Sequence, residues 1–252
     1  MTLHDISDYL QTYLEIEAFQ DHSANGLQVE NSRDIQKIGL AVDACRDAIR
    51  KADTEGCNLL IVHHGLYWGR QQLITDYHYM RVRALIEADM ALYAVHLPLD
   101  AHPEVGHNSQ IAQQMGLVDR EPFAPYQGRP IGIKGRLASP APCRQVAEQL
   151  EAIIGGNRGL LAFGPEQVRT VGIIAGSATE PELFRELQEQ SIDLFVSGEP
   201  KHGAYYLAQE FGLNVFYGGH YQTETFGMRA LGSHLAEHFR IKTVMIESPC
   251  FL

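Results

Sequence analysis

"QKIGLAVDACRDAIRKADTEGCNLLIVHHG", residues 36–65, decides the fold. Residues 38–42 form a short apolar run and predict a strand. Residues 46–54 carry a helical pattern, and 59–62 read as a second, fully buried strand. Downstream, a helix is expected from about 79 to 88, a strand at 92–95 and a further helix at 109–115. Strands alternating with helices are the mark of βαβ units and a largely parallel sheet, so the fold class is α/β. Upstream, Ile6, Leu10, Tyr13 and Leu14 fall at helical spacing, and Thr2 with Asp5 resembles a capping box.

The plan recurs from Arg169. "QKIGLAVDA" (36–44) resembles "RTVGIIAGS" (169–177) with Gly39 and Gly172 in register, and "NLLIVHHG" corresponds to "DLFVSGE". "LYAVHLPLD" then corresponds to "NVFYGGHYQTE". Each of that last pair ends in a histidine followed four residues later by a carboxylate, His96/Asp100 and His220/Glu224. Three matched segments in order predict a duplicated unit, although buried strands of any α/β protein draw on the same few residues. Pro122, Pro125, Pro130, Pro140 and Pro142 lie between the halves, and a boundary is expected near Ala124–Gly128. The expected organisation is two interleaved, topologically similar α/β domains. A metal-binding domain over 1–125 is completed by 214–252, with a second domain over 126–213. The return at 214 is required by chemistry, since His220 and Glu224 have to meet His63.

The chain has 252 residues, 45% of them apolar, and a net charge of −11. This suits one large or two small cores. The acidity argues against general nucleic-acid binding, which needs a broad basic surface. No apolar stretch is long enough to span a membrane, and residues 1–19 lack the features of a signal peptide, so a cytoplasmic location is expected. Cys45, Cys57, Cys143 and Cys250 show no paired spacing and read as free thiols. No phosphate-binding G-x-x-x-x-G-K-[ST] loop, strand-linked G-x-G-x-x-G or G-x-S-x-G elbow occurs.

The twelve histidines cluster after apolar runs. His63 and His64 stand where a strand ends, the position at which ligand sites form in open α/β sheets. Their divergent directions favour contacts to two different ions. Asp100 offers a hard anionic oxygen in a loop stiffened by Pro98 and Pro103, whereas His102 and His107 read as solvated. His96 either binds metal or orients a ligand from behind. Gly218 and Gly219 permit a tight turn into a helix that places His220 and Glu224 on one face. Three imidazoles and two carboxylates exceed an ordinary open zinc site. They suit two ions roughly 3.5–4 Å apart with Glu224 as the bridge. Zn, Mn, Fe, Co and Ni all fit these donors. Asn25-Gly26 reads as a plain turn. "SGEPKHG" either brings Glu199, Lys201 and His202 to a strand end or simply starts a helix near Pro200.

"NGLQV", "IVHHGLYWG", "YAVHLPLDAHPEVGHNSQIA", "VSGE" and "GGHYQTETFGMRAL", in this order, resemble the Nif-three-like family, and specifically its short YbgI-type members. Many of that family carry the name type 2 GTP cyclohydrolase I. The resemblance covers almost the whole chain. It implies a two-domain α/β fold in a toroidal homohexamer, with dinuclear metal sites facing an internal cavity. Their ligands fall on His63, His64, Asp100, His220 and Glu224. The expected function is metal-dependent hydrolysis of a small molecule, a nucleotide or cyclic amide, by a metal-activated water. His96 and Glu224 would be the catalytic residues, with His96 shuttling the proton. A non-catalytic assembly that binds or senses metal is the alternative.

Overall fold

The computed structural model describes residues 1–70 and 72–250. Its backbone divides into two compact units, Met1–Val105 with Gly227–Ser248, and a second built from Gly106–Phe226.

The first unit runs α1 (Leu3–Tyr13), β1 (Gly26–Val29), β2 (Lys37–Asp43), α2 (Arg46–Thr54), β3 (Leu59–His64), α3 (Asp76–Glu87), β4 (Ala91–Ala94) and α4 (Leu97–Asp100). The second unit holds α5 (His107–Gln114), β5 (Val118–Tyr126), β6 (Arg129–Pro142), α6 (Cys143–Ile154), β7 (Gly159–Ala162), β8 (Gln167–Ile173), α7 (Pro181–Glu189), β9 (Leu194–Ser197), α8 (His202–Phe211), β10 (Asn214–Tyr217) and α9 (His220–Thr223). α10 (Thr225–Phe239) and β11 (Lys242–Met245) then complete the first.

In the first unit the strand order is β1-β4-β3-β2-β11, parallel throughout except for β1 on the edge. Alternation along β3 builds two cores. Leu59 and Ile61 pack with Ile6, Leu10, Met228 and Leu231 from α1 and α10. Leu60 and Val62 pack with Ala48, Ile49 and Leu85 from α2 and α3. The expected capping box starts α1. Thr2 Oγ1 accepts from the Asp5 N–H, and the Asp5 carboxylate accepts from the Thr2 N–H.

The second sheet has the order β5-β6-β8-β9-β10-β7 and is mixed: β8, β9 and β10 are parallel, and the flanking pairs antiparallel. The proline-rich stretch expected to separate the domains is instead a hairpin inside this unit. Gln127 and Gly128, both at positive φ, form its two-residue turn. Pro122 and Pro125 sit on β5, an edge strand, where a missing N–H is tolerated. The chain therefore passes between units after Val105 rather than near residue 125. It leaves the second after Phe226 rather than at 214, because β10 is held by β9 and β7.

The duplication is deeper than three strands. α1-β1-β2-α2-β3-α3-β4-α4 and α6-β7-β8-α7-β9-α8-β10-α9 share one topology, each with a parallel triplet and an antiparallel edge strand on its last member. Gly39 lies opposite Leu60, and Gly172 opposite Phe195. Asn58 Oδ1 accepts from the N–H groups of Gln36 and Lys37. At the equivalent place, Asp193 Oδ2 accepts from those of Arg169 and Thr170. Continuing the register, Ala94 matches Tyr217, so His96 matches Gly219 and Asp100 matches Thr223. The His96/Asp100 and His220/Glu224 pairs are thus offset by one residue, not superimposed.

Candidate metal centre

In the first unit, β3 runs through both histidines. Its pairing with β4 ends at Val62–Ala94, while His64 still pairs with Asp43 of β2. Beyond the last β4 contact the rings lean together, with His63 and His64 centroids 4.7 Å apart. Their acceptors fix the tautomers. The buried His63 donates from Nδ1 to the Val95 carbonyl at 2.9 Å, and His64 donates from Nδ1 to Asp43 Oδ1 at 3.0 Å. A ring that donates from Nδ1 turns Nε2 outward as the atom that could meet a metal. Asp100, buried at the end of α4, places Oδ2 3.7 Å from His63 Nε2.

His96 joins this group. Its ring lies 5.0 Å from that of His63, and potential ligand atoms of His63, His64 and His96 all fall within 4.8 Å of one another. His96 Nδ1 donates to both oxygens of Asp21, at 2.9 and 3.1 Å. Asp21 also accepts from the N–H groups of Ser23 and Leu97 and from Asn25 Nδ2. Burial acts to raise the Asp21 carboxyl, but its hydrogen bonds, led by that of His96, outweigh it and hold the group well below the usual carboxylate range. Asn25 Oδ1 accepts from the His96 N–H at 2.7 Å, so Asn25-Gly26 is more than a plain turn: it fixes the start of α4. Trp68 covers the cluster, its ring 5.0 Å from His96 and 5.7 Å from His64.

In the second unit, Gly219 at φ +103 allows the turn that starts α9 on His220. His220 lies between two carboxylates, with Nε2 3.1 Å from Glu224 Oε1 and Nδ1 3.2 Å from Glu199 Oε2. Burial acts to lower its pKa, but Glu224 and then Glu199 reverse the effect and push it up to about 10. Glu224 is buried. Gly176 makes its approach possible: a Cβ there would overlap the Glu224 carboxylate, and φ +69 disfavours any side chain. Thr223 Oγ1 accepts from the Gly176 N–H and ties this loop to α9.

The structure thus gathers His63, His64, His96 and Asp100 in one unit, and His220 with Glu224 in the other. His107, expected in solvent, is fully buried at the start of α5, and His102 is packed with its ring nitrogens on the backbone of Tyr13, Glu104 and Val105. Asp21, Asp43 and Gly176 were not anticipated. The only signal for Asp43 is an acid at the carboxyl end of a strand.

The family model of Duf34/NIF3 (NGG1p interacting factor 3) matches residues 1–250. The chain belongs to this family. Among Duf34/NIF3 relatives, it is 39% identical over 241 residues to a Deinococcus radiodurans protein named GTP cyclohydrolase 1 type 2 homolog, covering 96% of this chain and 91% of the relative. A protein of the same name from Archaeoglobus fulgidus is 39% identical over 249 residues, covering 99% of each. The crystal structure of TTHA1606 from Thermus thermophilus is similar at TM-score 0.90 and 42% identity over all of both chains. Among the described residues, no helix is long and apolar enough to cross a membrane.

Proposed function

We propose that this Duf34/NIF3 protein binds two divalent metal ions through His63, His64, Asp100, His220 and Glu224. On this reading it is a metal-dependent hydrolase, acting as a homohexamer on a nucleotide or cyclic amide in the manner of a GTP cyclohydrolase. The observation that carries the reading is the paired orientation of His63 and His64. Both rings commit Nδ1 to an oxygen acceptor, the arrangement that prepares Nε2 for a metal. The donor set fits Zn, Mn, Fe, Co or Ni. Two such ions, when bound, supply Lewis acidity and make a coordinated water acidic near neutral pH.

The chain's own residues do the rest. Buried Asp100 and Glu224 would hold the cations and contribute the negative charge that balances them. His96, oriented by Asp21 on Nδ1, takes a proton at Nε2 and returns it to the leaving group. Trp68 shields the rings from bulk water. The test is metal analysis and turnover of the full chain against GTP, other nucleotides and cyclic amides. Occupancy and turnover fall together in His63→Ala and Glu224→Ala if the reading holds. Undiminished turnover after complete metal removal excludes it.

A further inference from the structure

The second unit holds a cavity of about 540 Å³ that the metal reading does not use, lined among others by Arg158, Leu160, Lys201, His202, Tyr206 and Tyr217. We propose that it binds a phosphate-bearing molecule with a flat ring, of the size of a nucleoside monophosphate.

The charge balance is the first reason. The chain carries −11 overall, yet among the described residues lining this cavity none is a carboxylate, while Arg158, Lys201 and His202 are basic. Unfulfilled hydrogen-bonding capacity is the second. Tyr217 is 2% exposed, and its hydroxyl has no partner among the described residues; neither has the buried Nε of Arg158. The Arg158 N–H donates to the Tyr217 carbonyl at 2.7 Å, which seats the two residues side by side. A buried hydroxyl and a buried guanidinium N–H without partners are costly, and one anionic oxygen group satisfies both. The third reason is α8. It begins beside the cavity at Lys201 and His202 with no side-chain cap, so its first N–H groups and dipole favour an anion at the same place. Tyr206, 53% exposed, and Tyr205 meet edge to face at 5.5 Å, and with Leu160 they give a ring an apolar surface to lie on. The volume lies within the range of small-molecule sites.

None of the proposed metal ligands lines this cavity, so chelator-treated full-length protein is the material for calorimetric titration. The probes are AMP, GMP, adenosine and inorganic phosphate. AMP or GMP is expected to bind at least about tenfold more tightly than phosphate or adenosine. Tyr217→Phe and Lys201→Ala should each weaken that binding about tenfold; Lys201 is exposed, so its variant keeps the fold readable. Absence of saturable nucleotide binding at about 1 mM overturns the proposal. Binding that needs added metal and ignores both variants also overturns it, and leaves the metal reading intact.

Discussion

The ends of β3 and β9 occupy the same place in two copies of one scaffold, yet they carry opposite chemistry. By register, His63 and His64 correspond to Gly198 and Glu199. In the first unit the imidazoles of His63, His64 and His96 are each turned by an oxygen acceptor behind the ring, and Asp100 lies beside His63. In the second, the imidazole comes from the following loop, where His220 lies between Glu199 and Glu224. Duplication thus fixes where the loops emerge, and divergence decides what they carry. On the proposed reading each unit brings both imidazole and carboxylate: His63, His64 and Asp100 from the first, His220 and Glu224 from the second.

The largest effect that breaks this comparison is removal of a donor from either side. His63→Ala and Glu224→Ala are each expected to weaken metal affinity by more than about 100-fold, the upper range for outer-shell changes, read by competition with a chelator of known affinity. If only the His63 variant lost metal, the second unit would contribute nothing. A subtler comparison removes the residues behind the donors. Asp43→Asn should cost roughly 10–100-fold in metal affinity, because it loosens His64 without deleting it.

His220 and its two carboxylates have a signature of their own in chelated protein. The pKa of His220 is raised from 6.5 to about 10, so the protonated ring stabilises the fold fully below about pH 6.5. That contribution is lost as pH rises toward 10. Glu199→Gln should flatten this part of the stability–pH curve, as measured by denaturant unfolding; an unchanged curve would show that Glu199 does not hold the ring. Smallest are the duplicated brackets at the strand starts. Asn58→Ala and Asp193→Ala each leave two backbone N–H groups without their acceptor, and each should cost about 1–3 kcal/mol of stability in urea. Markedly unequal costs would show that the two brackets are not energetically equivalent.

The strands were legible because buried β3, β4 and β9 are short apolar runs flanked by helices. His63 and His64 were legible because an unusual pair follows such a run. Asp21 and Asp43 were not, since one acid in a loop or at a strand end has no period, and its meaning depends on a ring distant in sequence. The organisation between the halves misled for a physical reason: Pro and Gly break helices at a tight hairpin as readily as at a linker, and Gln127-Gly128 is a hairpin. The apparent match of His96 with His220 followed letters, whereas strand register aligns His96 with Gly219.

On the proposed reading, residues from both units hold one pair of cations. Anomalous diffraction from crystals grown with Mn or Zn tests it most directly. Two peaks per chain are expected, ligated by His63, His64, Asp100, His220 and Glu224 together. A single peak on His63, His64 and His96, with His220 and Glu224 taking no part, would contradict it.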